Sequence, residues 1–135
     1  MSTLNSKHIL IVDNDPAVVT ALAARLSANG YRCTTANCGS QALARFDADP
    51  PDLIISDLNM PQGDGVALAE SIRRVSVIPI ILISGFKDAY RKQLRHVRDI
   101  LFLHKPFVTE ELVRLVASAI ADTELAVAAS SRTSD

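Results

Sequence analysis

The sequence predicts an α/β domain, a parallel sheet covered by helices on both faces. Three observations carry this. Short β-like runs alternate five times with stretches of helical periodicity, the pattern of successive βα units. Two of the runs, Leu53-Ile54-Ile55 and Ile80-Ile81-Leu82-Ile83, are uniformly apolar, as strands buried on both sides must be. Turn residues bound the runs closely, with Pro51 before the third and Gly63-Asp64-Gly65 beyond it.

The elements follow in order. His8 to Val12 is the first strand. Asp15-Pro16 opens the first helix, Asp as N-cap and Pro at the first helical position. Val18, Leu22 and Leu26 form its inward stripe, and Asn29-Gly30 stops it. Tyr31 to Ala36 is a second, more polar strand, which suits a sheet edge. Asn37 to Asp47 is a short helix with Leu43 and Phe46 inward, ended by Asp49-Pro50-Pro51. The strand ending at Asp57 follows, then a helix from about Asp64 to Val75 that buries Leu68, Ile72 and Val75. Pro79 to Ser84 is the fourth strand. Ala89 to Val97 reads as a helix with Tyr90, Leu94 and Val97 inward. Ile100 to His104 is the fifth strand. Thr109 caps a last helix with Glu110 and Glu111 in its first turn, favourable against the helix dipole. Leu112, Leu115 or Val116, and Ile120 face inward. The domain is expected over residues 1–122, with 123–135 an Ala- and Ser-rich flexible tail.

Composition narrows the function classes. The chain has 135 residues, enough for one domain with a real core, and a formal net charge of -1 that exerts no pull toward nucleic acid or membrane. No apolar run approaches the roughly 20 residues that span a bilayer. Met1 to Lys7 is polar and lacks the core of a signal peptide, so a cytoplasmic location is expected. Cys33 and Cys38 are too few for a zinc site and read as structural. His8, His96 and His104 show no ligand spacing and read as surface or edge residues. Arg91, Lys92, Arg95, His96 and Arg98 form a basic run, either a solvated helix face or a docking surface. No GxGxxG or P-loop lysine is present.

The chemistry gathers at the strand ends. Strand one runs into Asp13-Asn14-Asp15, strand three into Asp57, strand four into Ser84 and strand five into Lys105-Pro106. In a parallel sheet these ends share one edge, where open α/β sheets bind ligands. Asp57 alone reads equally well as the start of a turn; with the other loops it becomes one of a convergent set. An acidic cluster invites a divalent cation, and magnesium takes one or two carboxylates plus waters and phosphate oxygens. Asp57 with a ligand from the Asp13-Asn14 loop meets that demand. Asp57 would then be a nucleophile accepting a phosphoryl group as an acyl phosphate, with Lys105 and the Ser84 hydroxyl on phosphoryl oxygens.

At this point the sequence resembles a known family. Val12-Asp13, Asp57 in DLNMPQGDG, Ser84-Gly85 and Lys105-Pro106-Phe107 look like the receiver domain of two-component response regulators, across roughly residues 7–121. The resemblance implies a flavodoxin-like (βα)5 doubly wound sheet with strand order 2-1-3-4-5. It implies phosphotransfer to Asp57 from a sensor histidine kinase or a histidine phosphotransfer protein, with Mg2+ as cofactor. Asp13, Asn14, Asp57 and the Asn59 backbone carbonyl match the metal positions. Ser84 matches the switch hydroxyl, Phe102 the aromatic switch position, and the Lys105-Pro106 bond is expected to be cis. On periodicity alone Phe102 reads as core packing.

One departure stands out. The family usually has two adjacent acids after the first strand, and here the second is Asn14, which brings no charge to a metal. Asp15 fits better as the helix cap. Weaker magnesium binding is therefore expected. The leading expectation is a stand-alone signalling receiver, not an enzyme, acting on a downstream protein target. Homodimerisation through the last helices is open to it. The alternative is an atypical receiver that binds protein independently of phosphorylation because Asn14 has disabled the site. A haloacid-dehalogenase-like phosphatase would want an aspartate where Asn59 stands.

Overall fold

The computed structural model describes residues 6–85 and 92–133. Five strands, β1 (His8–Val12), β2 (Arg32–Ala36), β3 (Leu53–Asp57), β4 (Ile80–Ser84) and β5 (Ile100–His104), form one sheet. Every neighbouring pair is parallel, and the order is β2-β1-β3-β4-β5, as the resemblance implied. The helices are α1 (Pro16–Ala28), α2 (Gly39–Ala48), α3 (Asp64–Val75) and α4 (Thr109–Thr133).

Strand alternation divides the core in two. Leu10, Val12, Ile54, Ile80 and Leu82 face Ala42 and Phe46 of α2 and Leu68 and Ile72 of α3. Ile9, Ile11, Ile55, Ile81 and Ile83 face Val19, Leu22 and Leu26 of α1 and Leu112, Val116 and Ile120 of α4. β1, β3 and β4 are buried along their whole length, which is why they read as continuous apolar runs; edge strand β2 is not. Each fully buried Ile or Leu contributes roughly 1.5–3 kcal/mol before chain entropy is charged against it.

Several boundaries and faces differ from expectation. In α1, Val19 takes the buried position and Val18 is half-buried. In α4, Val116 and not Leu115 is the fully buried residue. Val75, expected inward, is 71% exposed. The contact at that end of α3 is made instead by Arg73, whose guanidinium donates to the carbonyls of Ser76, Ile78, Arg98 and Asp99. His8, read as a surface or edge residue, is 3% exposed on the inner strand β1. Its ring Nε2 lies 2.7 Å from Thr34 Oγ1, and its backbone N–H donates to Asp52. The fold thus supplies partners that strand periodicity could not reveal.

Thr109 is the first helical residue of α4 and not its cap. The Val108 N–H donates to Glu111 Oε1 at 3.2 Å, one arm of a capping box. The stretch from Thr123, expected to be a tail, continues α4 to Thr133. Alanine-rich sequence favours helix, Thr123 Oγ1 donates back to Ala119 O, and Lys7 pairs with Glu124 at 3.4 Å. Between β4 and β5 the described residues hold a 3-10 turn at Lys92–Leu94 in place of the expected helix. Leu94 is buried and Val97 packs beside it, while Ala89, Tyr90 and Arg91 lie outside the described residues. Among the described residues, no helix is long and apolar enough to cross a membrane.

Candidate functional site

The C-terminal edge of the sheet brings together most of the residues singled out by sequence. Asp13 follows β1, Asp57 ends β3, Ser84 ends β4 and Lys105 follows β5. Asp13 and Asp57 are 5% and 6% exposed, and Ser84 is fully buried. The Lys105 Nζ lies 3.5 Å from Asp57 Oδ1, and that oxygen also accepts the Asn59 N–H at 3.1 Å. Lys105 is set in place from its own backbone, whose N–H donates to the Ser84 carbonyl at 2.9 Å. The Lys105-Pro106 peptide bond is cis.

Burial, above all, pushes the Asp13 carboxyl above its ordinary value. The Asp15 N–H, which donates to Asp13 Oδ1 at 2.9 Å, opposes this, and the neighbouring Asp57 adds to it. Two buried carboxylates therefore work against each other with one half-exposed lysine nearby. Asp15 itself caps α1, accepting the Ala17 N–H at 3.0 Å, so it is occupied as expected.

Asn14, next to Asp13, is exposed and also lines a cleft of about 410 Å³ with Cys38, Gln62 and Asp64. Asn59 does more than sequence suggested. Its backbone N–H holds Asp57, and its side-chain Oδ1 is buried with no hydrogen-bond partner among the described residues. Gly85 keeps the space above Asn59 and Lys105 free of side-chain bulk, since a Cβ there would lie 3.7 Å from Asn59 Nδ2 and 4.0 Å from Lys105 Cδ.

Ser84 and Phe102 occupy adjacent strands on one face. Leu82 pairs with Phe102 and Ser84 with His104, so the hydroxyl and the ring project to the α2–α3 side, one pleat apart. Phe102 is half-buried and packs against that core, while also lining a groove with Glu111 and Arg114. Cys33 and Cys38 are both free. Among the residues that form the basic run, Lys92, Arg95 and Arg98 are exposed, His96 pairs with Glu70 at 2.9 Å, and Arg91 lies outside the described residues.

Sequence reading overlooked Asp64. Its Oδ2 accepts the N–H of Gly39 at 2.5 Å, joining the loop after Asp57 to the start of α2. The only signal in the sequence was the Asp-Gly pair closing the loop, which is common at turns and points to no partner.

The two carboxylates fit a divalent cation of the magnesium type. Such an ion accepts one or two carboxylates and completes its shell with carbonyl and water oxygens. Among the described residues no group of three His, Cys, Asp or Glu side chains converges, so a softer or protein-saturated site is not built here. A cation would also offset the burial, and the lesser repulsion from Asp57, that hold the Asp13 carboxyl up.

Comparison with known proteins agrees with this geometry. The response regulator receiver domain model matches residues 9–117. The chain is 34% identical over 122 residues to the probable transcriptional regulator ycf27 of Cyanophora paradoxa, covering 90% of this chain and 51% of that one. It is 29% identical to the alkaline phosphatase synthesis transcriptional regulatory protein PhoP of Bacillus subtilis, covering 96% and 55%. The chain thus spans about half the length of these curated relatives. Among solved structures, the Vibrio cholerae chemotaxis protein CheY4 superposes with a TM-score of 0.77 at 29% identity, covering 84% of this chain and 98% of that one. With the sheet order, the strand-end residues and a family match over most of its length in agreement, the chain belongs to the response regulator receiver domain family.

Proposed function

We propose that this receiver accepts a phosphoryl group on Asp57 from a phosphohistidine of a sensor histidine kinase or a histidine phosphotransfer protein. A carboxylate oxygen of Asp57 attacks phosphorus, the phosphorus–nitrogen bond breaks, and the imidazole leaves with the bonding pair. Magnesium, when bound, would neutralise charge on the phosphoryl oxygens, held by Asp13, Asp57 and the Asn59 backbone carbonyl. Lys105 offers a cation to the same oxygens and the Ser84 hydroxyl a hydrogen bond. The observation that carries this reading is the buried Asp57 carboxylate, 3.5 Å from Lys105 and beside a second buried carboxylate. Drawing Ser84 toward the phosphoryl group would free space on the face it shares with Phe102. That would couple the site to a protein-binding surface around β5 and α4.

A second reading, a binding module independent of phosphorylation, is favoured by one observation. Asn14 is neutral and exposed, so it adds nothing to the charge of the site. Intact mass after incubation with acetyl phosphate, with and without magnesium, separates the two. A single phosphoryl adduct that needs magnesium and is lost in Asp57→Asn supports the first reading. No adduct at any magnesium concentration, and none with a phosphohistidine donor, supports the second.

A further inference from the structure

The loop after Asp57 is fixed at both ends, and its far end is held by a contact that belongs to another helix. At its near end Asp57 is locked in β3. At its far end Gly65 lies directly on the strand terminus, where a Cβ would come within 2.7 Å of the carbonyl oxygens of both Asp57 and Leu58. Next to it, Asp64 reaches across to α2 and accepts the Gly39 N–H at 2.5 Å. Gly39 is the first residue of α2, and the residue at the cap position, Cys38, makes no side-chain capping bond. The first N–H groups of a helix need an acceptor and favour a negative charge. Asp64 meets both needs from the neighbouring loop. Between the two anchors, Gln62 sits at φ 63, a left-handed conformation that a residue with a Cβ disfavours. Such a turn keeps its shape only when its surroundings hold it there.

We propose that Asp64 is a positioning residue for the phosphoryl-acceptor site. By capping α2 from the loop that follows Asp57, it fixes the Asp57 carboxylate and the Asn59 carbonyl in relation to each other. The inference rests on the phosphoryl-acceptor reading and adds a residue that touches neither phosphorus nor metal. What matters at position 64 is an acceptor oxygen in one place, not the charge. Asn offers an oxygen at that place; Glu keeps the charge but moves the oxygen by one methylene. Gly39→Ala attacks the same contact from the other side, since its methyl group would collide with Asp64 Oδ1 while the loop sequence stays intact.

The test compares wild type with Asp64→Asn, Asp64→Glu and Gly39→Ala in three measurements. These are magnesium binding by titration calorimetry, the rate of adduct formation from acetyl phosphate against magnesium concentration, and the urea midpoint. Asp64→Asn is expected within about twofold of wild type in binding and rate. Asp64→Glu and Gly39→Ala are each expected to weaken magnesium binding and slow the adduct by about fivefold or more. If these two lower the urea midpoint but bind magnesium and react like wild type, Asp64 is only a cap and the inference is overturned. Should Gly39→Ala fail to fold, Asp64→Glu decides alone. A wild-type protein that binds no magnesium and forms no adduct would instead overturn the phosphoryl-acceptor reading, and this inference with it.

Discussion

The Lys105 ammonium lies 3.5 Å from the Asp57 carboxylate although their strands are not neighbours. β4 runs between them and ends beneath the lysine at Ser84-Gly85. The lysine therefore crosses the end of a strand to reach a carboxylate that is itself 7% exposed. Such an ammonium is worth little to stability, because it is 43% exposed, and in the proposed transfer it would act on the phosphoryl oxygens arriving at Asp57. Lys105→Met is expected to slow adduct formation from acetyl phosphate on the order of a hundredfold. Its melting temperature should stay close to wild type, as scanning calorimetry would show.

Asp13 has the opposite balance. Burial first, and then Asp57, raise its carboxyl above the ordinary value of 3.8, so the folded state holds that proton more tightly than the unfolded chain. Between 3.8 and the higher folded value the native state binds more protons, and stability falls as pH rises through that window. Above it the penalty persists in full. Asp13→Asn keeps an oxygen for the Asp15 N–H and removes the charge. It should stabilise the metal-free protein at pH 7 by on the order of 1 kcal/mol, and flatten that part of the pH profile in urea titrations. The same change should cost magnesium affinity.

Asn14→Asp tests the missing charge. A carboxylate at the rim of the site adds about 1 kcal/mol of attraction for a divalent cation about 8 Å away at the dielectric of water. Magnesium affinity by calorimetry should rise about fivefold. An unchanged affinity would mean that position 14 lies beyond reach of the bound metal.

Arg73 is predicted to be irreplaceable by lysine. Its guanidinium donates to four carbonyls, those of Ser76, Ile78, Arg98 and Asp99, which belong to the segments leading into β4 and β5. Lysine cannot reproduce a planar fork of donors. Arg73→Lys should cost about 1–3 kcal/mol of unfolding free energy in urea, near the cost of Arg73→Ala.

Ile72 and Val75 share the apolar face predicted for α3 but differ in burial. Ile72 is fully buried, and Ile72→Ala should cost about 2–5 kcal/mol. Val75 is 71% exposed, and Val75→Ser should change stability by less than about 0.5 kcal/mol. Equal effects in urea denaturation would contradict the packing described here.

The sequence alone determined the layered parallel sheet, the strands to within a residue, and the convergence of Asp13, Asp57, Ser84 and Lys105 on one edge. These follow from short-range rules: continuous apolar runs for strands buried on both faces, a helical period between them, and the shared direction of parallel strands. The lysine lies nearly fifty residues from its aspartate in the chain, yet both are legible because each ends a strand. Tertiary structure alone decided what depends on a partner from elsewhere. His8 is buried with Thr34 at its ring Nε2 and Asp52 at its backbone N–H, and Val75 is left outside while Arg73 closes that corner. Asp64 caps a helix that begins twenty-five residues earlier. Periodicity reports which face of an element is apolar; it carries no information about which distant polar group will satisfy a particular donor. That pairing is fixed only when the helices settle on the sheet.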